Sequence, residues 1–171
     1  MLARARRLVG PGVELIRDSL PDLGVDGRFD AVVCTLAGIT YLRPTALPTA
    51  FTSFAERLGP DGWLVFDVHT DAMMAFTRSR PVVTGEKNGY RFTITSAVDE
   101  DARASDTRIE ITPAGEAPLT EQHRQHFHRA GDIRAALADA GFEVTAVRDG
   151  YSDRPADDST LSATWIARLH G

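Results

Sequence analysis

Residues 29–70 read FDAVVCTLAGITYLRPTALPTAFTSFAERLGPDGWLVFDVHT, and this stretch decides the fold class. Its first part, residues 29–36, is almost continuously apolar and rich in β-branched side chains, which is typical of a strand buried on both faces. Residues 48–58 carry apolar side chains at the spacing of one helical face. A Gly- and Pro-containing turn at residues 59–62 and a second buried strand at residues 63–68 follow. Strand, helix and strand in this order predict a βαβ unit.

The crossover of such a unit is expected to be right-handed, with its strands parallel in one sheet. In open sheets of this kind a ligand binds beyond the carboxyl ends of the strands. The residues that follow the two strands here are 35–41 and 67–71. We therefore expect the functional site to be built from these two segments.

Four short motifs occur in a fixed order along this stretch: Phe29-Asp30, Tyr41-Leu42, Leu58-Gly59-Pro60-Asp61-Gly62 and Phe66-Asp67. In this order they resemble the second half of a class I S-adenosylmethionine (SAM) dependent methyltransferase of the small-molecule type. The one departure in the turn is Asp61, where the family usually has Gly, and Asp also tolerates unusual backbone angles. The resemblance implies an α/β fold, a Rossmann-like and mostly parallel sheet with helices on both faces, with SAM as the cofactor.

Composition limits the classes of partner. The chain has 171 residues, 43% hydrophobic and 25% charged, as in an ordinary globular domain. Its net charge of −5, without a basic block, argues against a nucleic-acid partner. No apolar run has the length of a membrane helix. The single cysteine, Cys34, forbids an internal disulfide and suits a reducing cytoplasm. A small-molecule acceptor is the expected partner, and a homodimer remains open.

The beginning of the chain lacks part of the family pattern. Met1–Val9 predicts a helix without an N-cap, and Val13–Arg17 predicts the next strand. The Gly-rich turn that cradles the cofactor in the family is absent, so the expectation is an N-terminally truncated domain. Three explanations stay open: a misplaced start, direct pairing of residues 13–17 beside residues 29–36, or missing strands supplied by a partner chain.

The chain is expected to form a single methyltransferase-like domain. Residues 1–81 and 129–171 form its Rossmann-like core, which ends in a helix, a strand and a final antiparallel strand. Residues 82–128 alternate polar and apolar side chains between turn-rich connections, which predicts an antiparallel β meander. By the resemblance this insertion covers the acceptor site, and a platform for dimerisation is the alternative.

Cofactor-binding residues are expected where the resemblance places them. Asp18 and Ser19 follow the predicted strand at residues 13–17, and an Asp there commonly meets the adenine amino group in the family. The alternative is that Asp18 only opens a turn. The resemblance also places the cofactor against the residues that follow the first core strand, namely Thr35, Leu36 and Ala37.

Candidates for proton transfer and acceptor binding lie beside the same site. The catalytic candidates are Tyr41, His69 and His126, because a phenol or an imidazole can take a proton near neutral pH. The acceptor-binding candidates are Asp67, Arg124 and Tyr151, with Arg124 suited to an anionic group. No metal site is expected, since His126 and His128 on one strand face provide only two ligands.

These features predict a SAM-dependent transfer of a methyl group to O or N of a small molecule. The alternative from another class is a non-catalytic methyltransferase-like domain that binds a ligand or pairs with a partner. An enzyme on the same scaffold that does not use SAM is a third interpretation.

Overall fold

The structure is a computed structural model, and it describes residues 2–113 and 117–171. In this part of the chain the strands are β1 (Phe29–Cys34), β2 (Leu58–His69), β3 (Val82–Lys87), β4 (Tyr90–Asp99), β5 (Ala104–Pro113), β6 (Leu119–His126), β7 (Phe142–Asp149) and β8 (Ser162–Leu169). The helices are α1 (Leu2–Val9), α2 (Leu47–Glu56), α3 (Asp71–Ser79) and α4 (Ala130–Asp139), with short 3-10 helices at Gly38–Tyr41 and Pro44–Ala46.

The main sheet has the strand order β1-β2-β8-β7. β1 pairs with β2 in parallel and α2 lies between them in the chain, which confirms the predicted βαβ unit. β8 runs antiparallel to both of its neighbours, β2 and β7. The α/β fold class is therefore confirmed, but this part of the sheet is not mostly parallel as expected. The antiparallel pairs arise because the chain returns after β7 and places β8 between β7 and β2.

The hydrophobic core lies between one face of this sheet and the helices α2 and α4, which pack against each other. Phe66 is fully buried on that face, with ring centroids 6.1 Å from Trp165 and 5.3 Å from Phe51. Trp63, which points to the opposite face, is 40% exposed. Within the described residues the hydrophobic core is packed on this one face of the sheet, and alternate strand residues such as Trp63 and Val33 remain accessible.

The turn predicted at residues 59–62 is the irregular start of β2. α2 ends at Glu56, and the pairing with β1 then skips from Phe29↔Leu58 to Ala31↔Trp63. Gly62 is required inside this bulge, since a Cβ there would lie 2.9 Å from a backbone oxygen. The helix and strand of the βαβ unit are thus joined almost directly, which brings the ends of β1 and β2 together.

The predicted meander forms a second sheet with the order β3-β4-β5-β6, in which each strand is antiparallel to the next. The sequence pattern indicated the last three strands and missed β3. Residues 114–116 of the predicted insertion lie outside the described residues. α3 connects the two sheets and contacts both β2 and β4, so the meander begins directly beyond the carboxyl end of β2.

The strand predicted at residues 13–17 does not form. This segment has no regular secondary structure, and Val13 and Ile16 are 51% and 45% exposed because no neighbouring strand covers them. The segment therefore does not pair with β1, and among the described residues β1 has a partner strand on one side only. Phe29 and Val33 are correspondingly 43% and 63% exposed on this outer strand.

The helix predicted at the start of the chain is present as α1, whereas Met1 lies outside the described residues. Its residues are largely exposed, with Leu8 at 78%. None of the helices in the described part of the chain has the length and apolarity that a membrane span requires.

Candidate functional site

The loop of residues 35–41, which we call the β1 loop, lies at the carboxyl ends of β1 and β2. Leu36 and Ala37 both have left-handed backbone conformations, with φ of 60° and 57°. Such a conformation costs a residue with a side chain about 1 kcal/mol or more, so it persists only where the surroundings hold it. The β1 loop is thus a locally strained segment at the edge where the fold places ligands.

Asp67, near the end of β2, binds the backbone of the β1 loop. Its Oδ2 accepts a hydrogen bond of 3.0 Å from the backbone N–H of Ala37 and one of 3.4 Å from the hydroxyl of Ser162. Asp67 is only 5% exposed, and its other carboxylate oxygen is buried without a protein partner. A buried carboxylate with an unused oxygen has remaining hydrogen-bonding capacity at this position.

Tyr151 holds the same loop from the other side. The backbone N–H of Leu36 donates to the Tyr151 hydroxyl at 3.3 Å. The side chain of Leu36 is 83% exposed and that of Tyr151 is 67% exposed, so both are open to a ligand. The structure therefore brings together four of the predicted site residues, with Thr35 beside them at the end of β1: Leu36, Ala37, Asp67 and Tyr151.

Asp18 and Ser19 make local contacts. The carboxylate of Asp18 accepts from the backbone N–H of Ser19 at 2.8 Å and from that of Gly24 at 2.6 Å. Both carboxylate oxygens are thus engaged in closing their own loop, which is the turn-forming alternative for an Asp. The assignment of these two residues to the cofactor stays a prediction.

His69 is the last residue of β2 and lines a cavity of about 350 Å³ together with Thr70, His128 and Trp165. Partial burial lowers the pKa of its imidazole, although the nearby Asp67 carboxylate acts in the opposite direction. A neutral imidazole at the end of this strand has a free nitrogen for a proton. The indole N–H of Trp165, one of the residues that line this cavity, is buried without a protein acceptor among the described residues.

His126 is the last residue of β6 and His128 follows it by two positions, with the two ring centroids 6.3 Å apart. Burial lowers the pKa of both imidazoles. Nε2 of His128 lies 3.2 Å from the carbonyl oxygen of Ile39, and since a carbonyl only accepts, this nitrogen carries the proton. His128 therefore supports the β1 loop, whereas His126 was the predicted residue and contacts His128 instead. Among the described residues no group of three His, Cys, Asp or Glu side chains has the geometry of a metal site.

Tyr41 contacts a residue that the sequence analysis did not select. Its hydroxyl lies 3.0 Å from Nδ1 of His123 on β6, and the two rings are arranged edge to face. Two residues further along β6, the amide of Gln125 donates to the hydroxyl of Thr40 at 2.9 Å. Residues two apart share one face of a strand, so alternation in β6 was the available signal for His123 and Gln125.

Arg124 lies on the opposite face of β6 and lines a cavity of about 560 Å³ in the second sheet. Its guanidinium pairs with Asp106 at 2.5 Å and with Asp99 at 3.8 Å. These pairs are exposed and individually weak, so an anionic ligand can compete for the guanidinium. The predicted role in acceptor binding remains a prediction.

The residues of the β1 loop have the chemistry that contact with one side of SAM would require. Leu36 is exposed and offers an apolar surface, and Asp67, which binds the neighbouring Ala37, has one buried oxygen without a protein partner. Thr35 and Ala37 complete the same edge.

Comparison with known proteins agrees with this geometry. The chain is 29% identical over 161 residues to the "Putative methyltransferase YqeM" of Bacillus subtilis (strain 168), covering 90% of this chain and 65% of that protein. It superposes on a SAM-dependent methyltransferase from Clostridium acetobutylicum ATCC 824 with a TM-score of 0.86, at 17% identity, over 99% of this chain and 70% of that one. The chain has the methyltransferase fold.

A second solved structure extends the comparison. CalS10 of Micromonospora echinaspora, an amino pentose methyltransferase of calicheamicin biosynthesis solved with SAM bound, matches with a TM-score of 0.68 at 20% identity. That match covers 98% of this chain and 69% of CalS10. No protein-family model matches the chain. The resemblance to SAM-dependent methyltransferases that the sequence predicted is thereby confirmed, and the chain spans 65% of the length of its curated relative.

Proposed function

We propose that this chain belongs to a SAM-dependent methyltransferase that transfers a methyl group to O or N of a small molecule. The observation that carries the proposal is the β1 loop. It is held in a left-handed conformation by Asp67 and Tyr151, at the sheet edge where ligands bind in this fold class. The similarity to YqeM and the SAM-bound structure of CalS10 support this choice of cofactor.

The β1 loop would hold the reactive part of the cofactor. Leu36 and Ala37 provide the surface, Thr35 lies next to them, and Asp18 with Ser19 is our proposal for the adenine side. When bound, SAM supplies an electrophilic methyl group on a sulfonium. The protein then has mainly to position the acceptor in line with that methyl group and to accept its proton.

His69 is our candidate for the base that takes this proton, because burial keeps its imidazole neutral beside the loop. Tyr41 and His126 are the other candidates for proton transfer. Asp67, Arg124 and Tyr151 are proposed to contact the acceptor. The structural support is uneven: Asp67, Tyr41 and Tyr151 belong to the β1 loop or contact it, whereas Arg124 and His126 do not.

The second sheet is proposed to cover the acceptor. Its last strand, β6, contacts the β1 loop through His123 and Gln125, and these two contacts support the proposal. Because CalS10 acts on an amino pentose, amines and hydroxylated small molecules are the acceptors to test first.

The second candidate function is a non-catalytic domain that binds a ligand or forms a homodimer. The exposed outer strand β1 favours it, since Phe29 and Val33 are 43% and 63% exposed and one edge of β1 has no partner among the described strands. Such an edge is a template for pairing with a second strand.

Calorimetric titration of the full chain with SAM, and with its demethylated product, tests the proposal. We expect saturable binding that Leu36→Glu weakens by tenfold or more, about 1.4 kcal/mol, because an anionic side chain replaces the apolar surface. The matched control is Leu119→Glu, since Leu119 is also strongly exposed, at 64%, but lies on β6. Incubation of the chain with radiolabelled SAM and a panel of small amines and alcohols then identifies the acceptor, as the compound to which the labelled methyl group is transferred.

Two outcomes would overturn the proposal. A folded chain that binds neither SAM nor its product leaves the non-catalytic function, and sedimentation then tests the homodimer. Equal SAM affinity of Leu36→Glu and the native chain would mean that the β1 loop is not the cofactor site.

A further inference from the structure

Three side chains form a continuous series of hydrogen bonds that leads away from the β1 loop. The Tyr41 hydroxyl lies 3.0 Å from Nδ1 of His123, and Nε2 of His123 lies 3.2 Å from the carboxylate of Glu121. Tyr41 is the last residue of the 3-10 helix that ends the loop. His123 and Glu121 are two apart on β6 and so lie on the same face of that strand. These hydrogen bonds thus connect the β1 loop to the second sheet.

The donor and the acceptor in each of these two hydrogen bonds follow from the chemistry of the end groups. An ionised carboxylate only accepts hydrogen bonds, so Nε2 of His123 carries the proton that points to Glu121. A neutral imidazole then has its lone pair on Nδ1, and the Tyr41 O–H donates to it. Tyr41 is 48% exposed, and a phenol that donates its proton keeps its lone pairs for a further hydrogen bond.

We propose that Tyr41, His123 and Glu121 form a proton relay that serves the acceptor, an inference that rests on the proposed methyl transfer. Tyr41 is the residue that touches the acceptor. His123 and Glu121 are positioning residues that act through it. This relay is the alternative to the single base proposed at His69, because both would take the same proton. His69 is the last residue of β2, whereas the relay passes the proton from Tyr41 to β6 in the second sheet.

The proton balance of the step is simple. The acceptor O–H or N–H gives its proton to the Tyr41 oxygen while the phenolic proton passes to Nδ1 of His123. The acceptor's electron pair forms the new bond to the methyl carbon of the sulfonium donor, and the carbon–sulfur electron pair stays on sulfur. The imidazolium that results is stabilised by Glu121 and returns its proton to solvent. A positioned acid–base group of this kind contributes about 100-fold or more to the rate.

A contribution to stability alone is a poor explanation for the arrangement of Tyr41, His123 and Glu121. The Glu121 side chain is 62% exposed and that of His123 is 25% exposed, and exposed pairs of this type add about 1 kcal/mol or less to stability. The same protein contains a comparison pair, His170 and Glu143, also at 3.2 Å with side chains 65% and 62% exposed. At His123 the other ring nitrogen, Nδ1, lies against the hydroxyl of Tyr41, and the two rings also pack edge to face.

The tautomer of His123 tests the relay without any acceptor. Long-range nitrogen-15 NMR of the full chain should show the proton on Nε2 and a bare Nδ1. Glu121→Gln should shift both nitrogens of His123, and Tyr41→Phe should shift Nδ1, whereas Glu143→Gln should leave His123 unchanged and alter His170. A native chain with the proton on Nδ1 would overturn the relay, since that nitrogen then donates to Tyr41 instead of accepting from it.

A kinetic test separates this inference from the proposed function. SAM affinity should be the same in Tyr41→Phe, His123→Asn and the native chain, while kcat falls about 100-fold in both variants with little change in KM. Glu143→Gln should keep full activity. A native chain that fails to bind SAM refutes the methyltransferase function even if the tautomer is as expected. A native chain that transfers methyl groups as fast as Tyr41→Phe refutes the relay alone.

Discussion

Replacement of Asp67 by Ala tests how the β1 loop is held. The change removes the acceptor of the Ala37 N–H, and since Ala37 is 5% exposed, that donor is left buried without a partner. Loss of a hydrogen bond to a charged group costs about 1.5–3 kcal/mol. In a domain of this size each kcal/mol shifts Tm by about 2–4 °C, so we expect a fall of about 3–12 °C.

One effect opposes this loss. The second oxygen of Asp67 is buried without a protein partner, and removal of a buried charge relieves a desolvation cost. Asp67→Asn separates the two effects, because it keeps an acceptor for Ala37 and removes the charge. We therefore expect Asp67→Asn to lose less than about 1 kcal/mol, well below the loss in Asp67→Ala.

Thermal unfolding followed by circular dichroism measures both variants. Glu100→Ala is the control for loss of an exposed carboxylate, because Glu100 forms a surface pair with Arg78 and its side chain is 58% exposed. If Asp67→Ala and Glu100→Ala unfold at the same temperature, Asp67 does not stabilise the β1 loop.

Three further changes test the fold and its dependence on pH. Phe66→Ala should cost about 3–5 kcal/mol in chemical denaturation, since Phe66 is fully buried, whereas Phe76→Ala, 36% exposed on α3, should cost far less; equal losses would contradict the position of the core. Val33→Lys should raise the solubility limit without lowering Tm, because Val33 is 63% exposed on the outer strand; unchanged precipitation would show that this edge does not drive association. Burial lowers the pKa of His128 below its ordinary value, so stability is full at pH above about 6.5 and falls with decreasing pH, as the unfolded chain binds a proton that the folded chain does not. This slope is at most about 1.4 kcal/mol per pH unit, and His128→Gln should flatten it in denaturation series between pH 5 and pH 7.

The sequence predicted the elements whose side chains repeat with a clear period. The βαβ unit of β1, α2 and β2 and the later strands of the second sheet follow from such patterns. The strand expected at residues 13–17 failed for a different reason: its apolar pattern is present, but a strand forms only with a partner, and pairing is not a local property.

Only part of the candidate site could be proposed from the sequence, because its residues come from elements that are far apart in the chain. Asp67 and the residues from Leu36 to Ala37 follow from the rule that ligands bind beyond the carboxyl ends of strands. His123 and Glu121 lie in a different sheet, and their approach to Tyr41 depends on how α3 joins that sheet to the core. No spacing along the chain encodes that distance.

The left-handed residues of the β1 loop have a consequence for affinity. Glycine would adopt this backbone shape without strain, but it would also leave the loop many other shapes in solution. With Leu36 and Ala37 in these positions, and with Asp67 and Tyr151 as fixed anchors, most of the ordering entropy is lost during folding. A ligand that arrives later meets a preorganised surface and retains more of its contact energy as binding free energy.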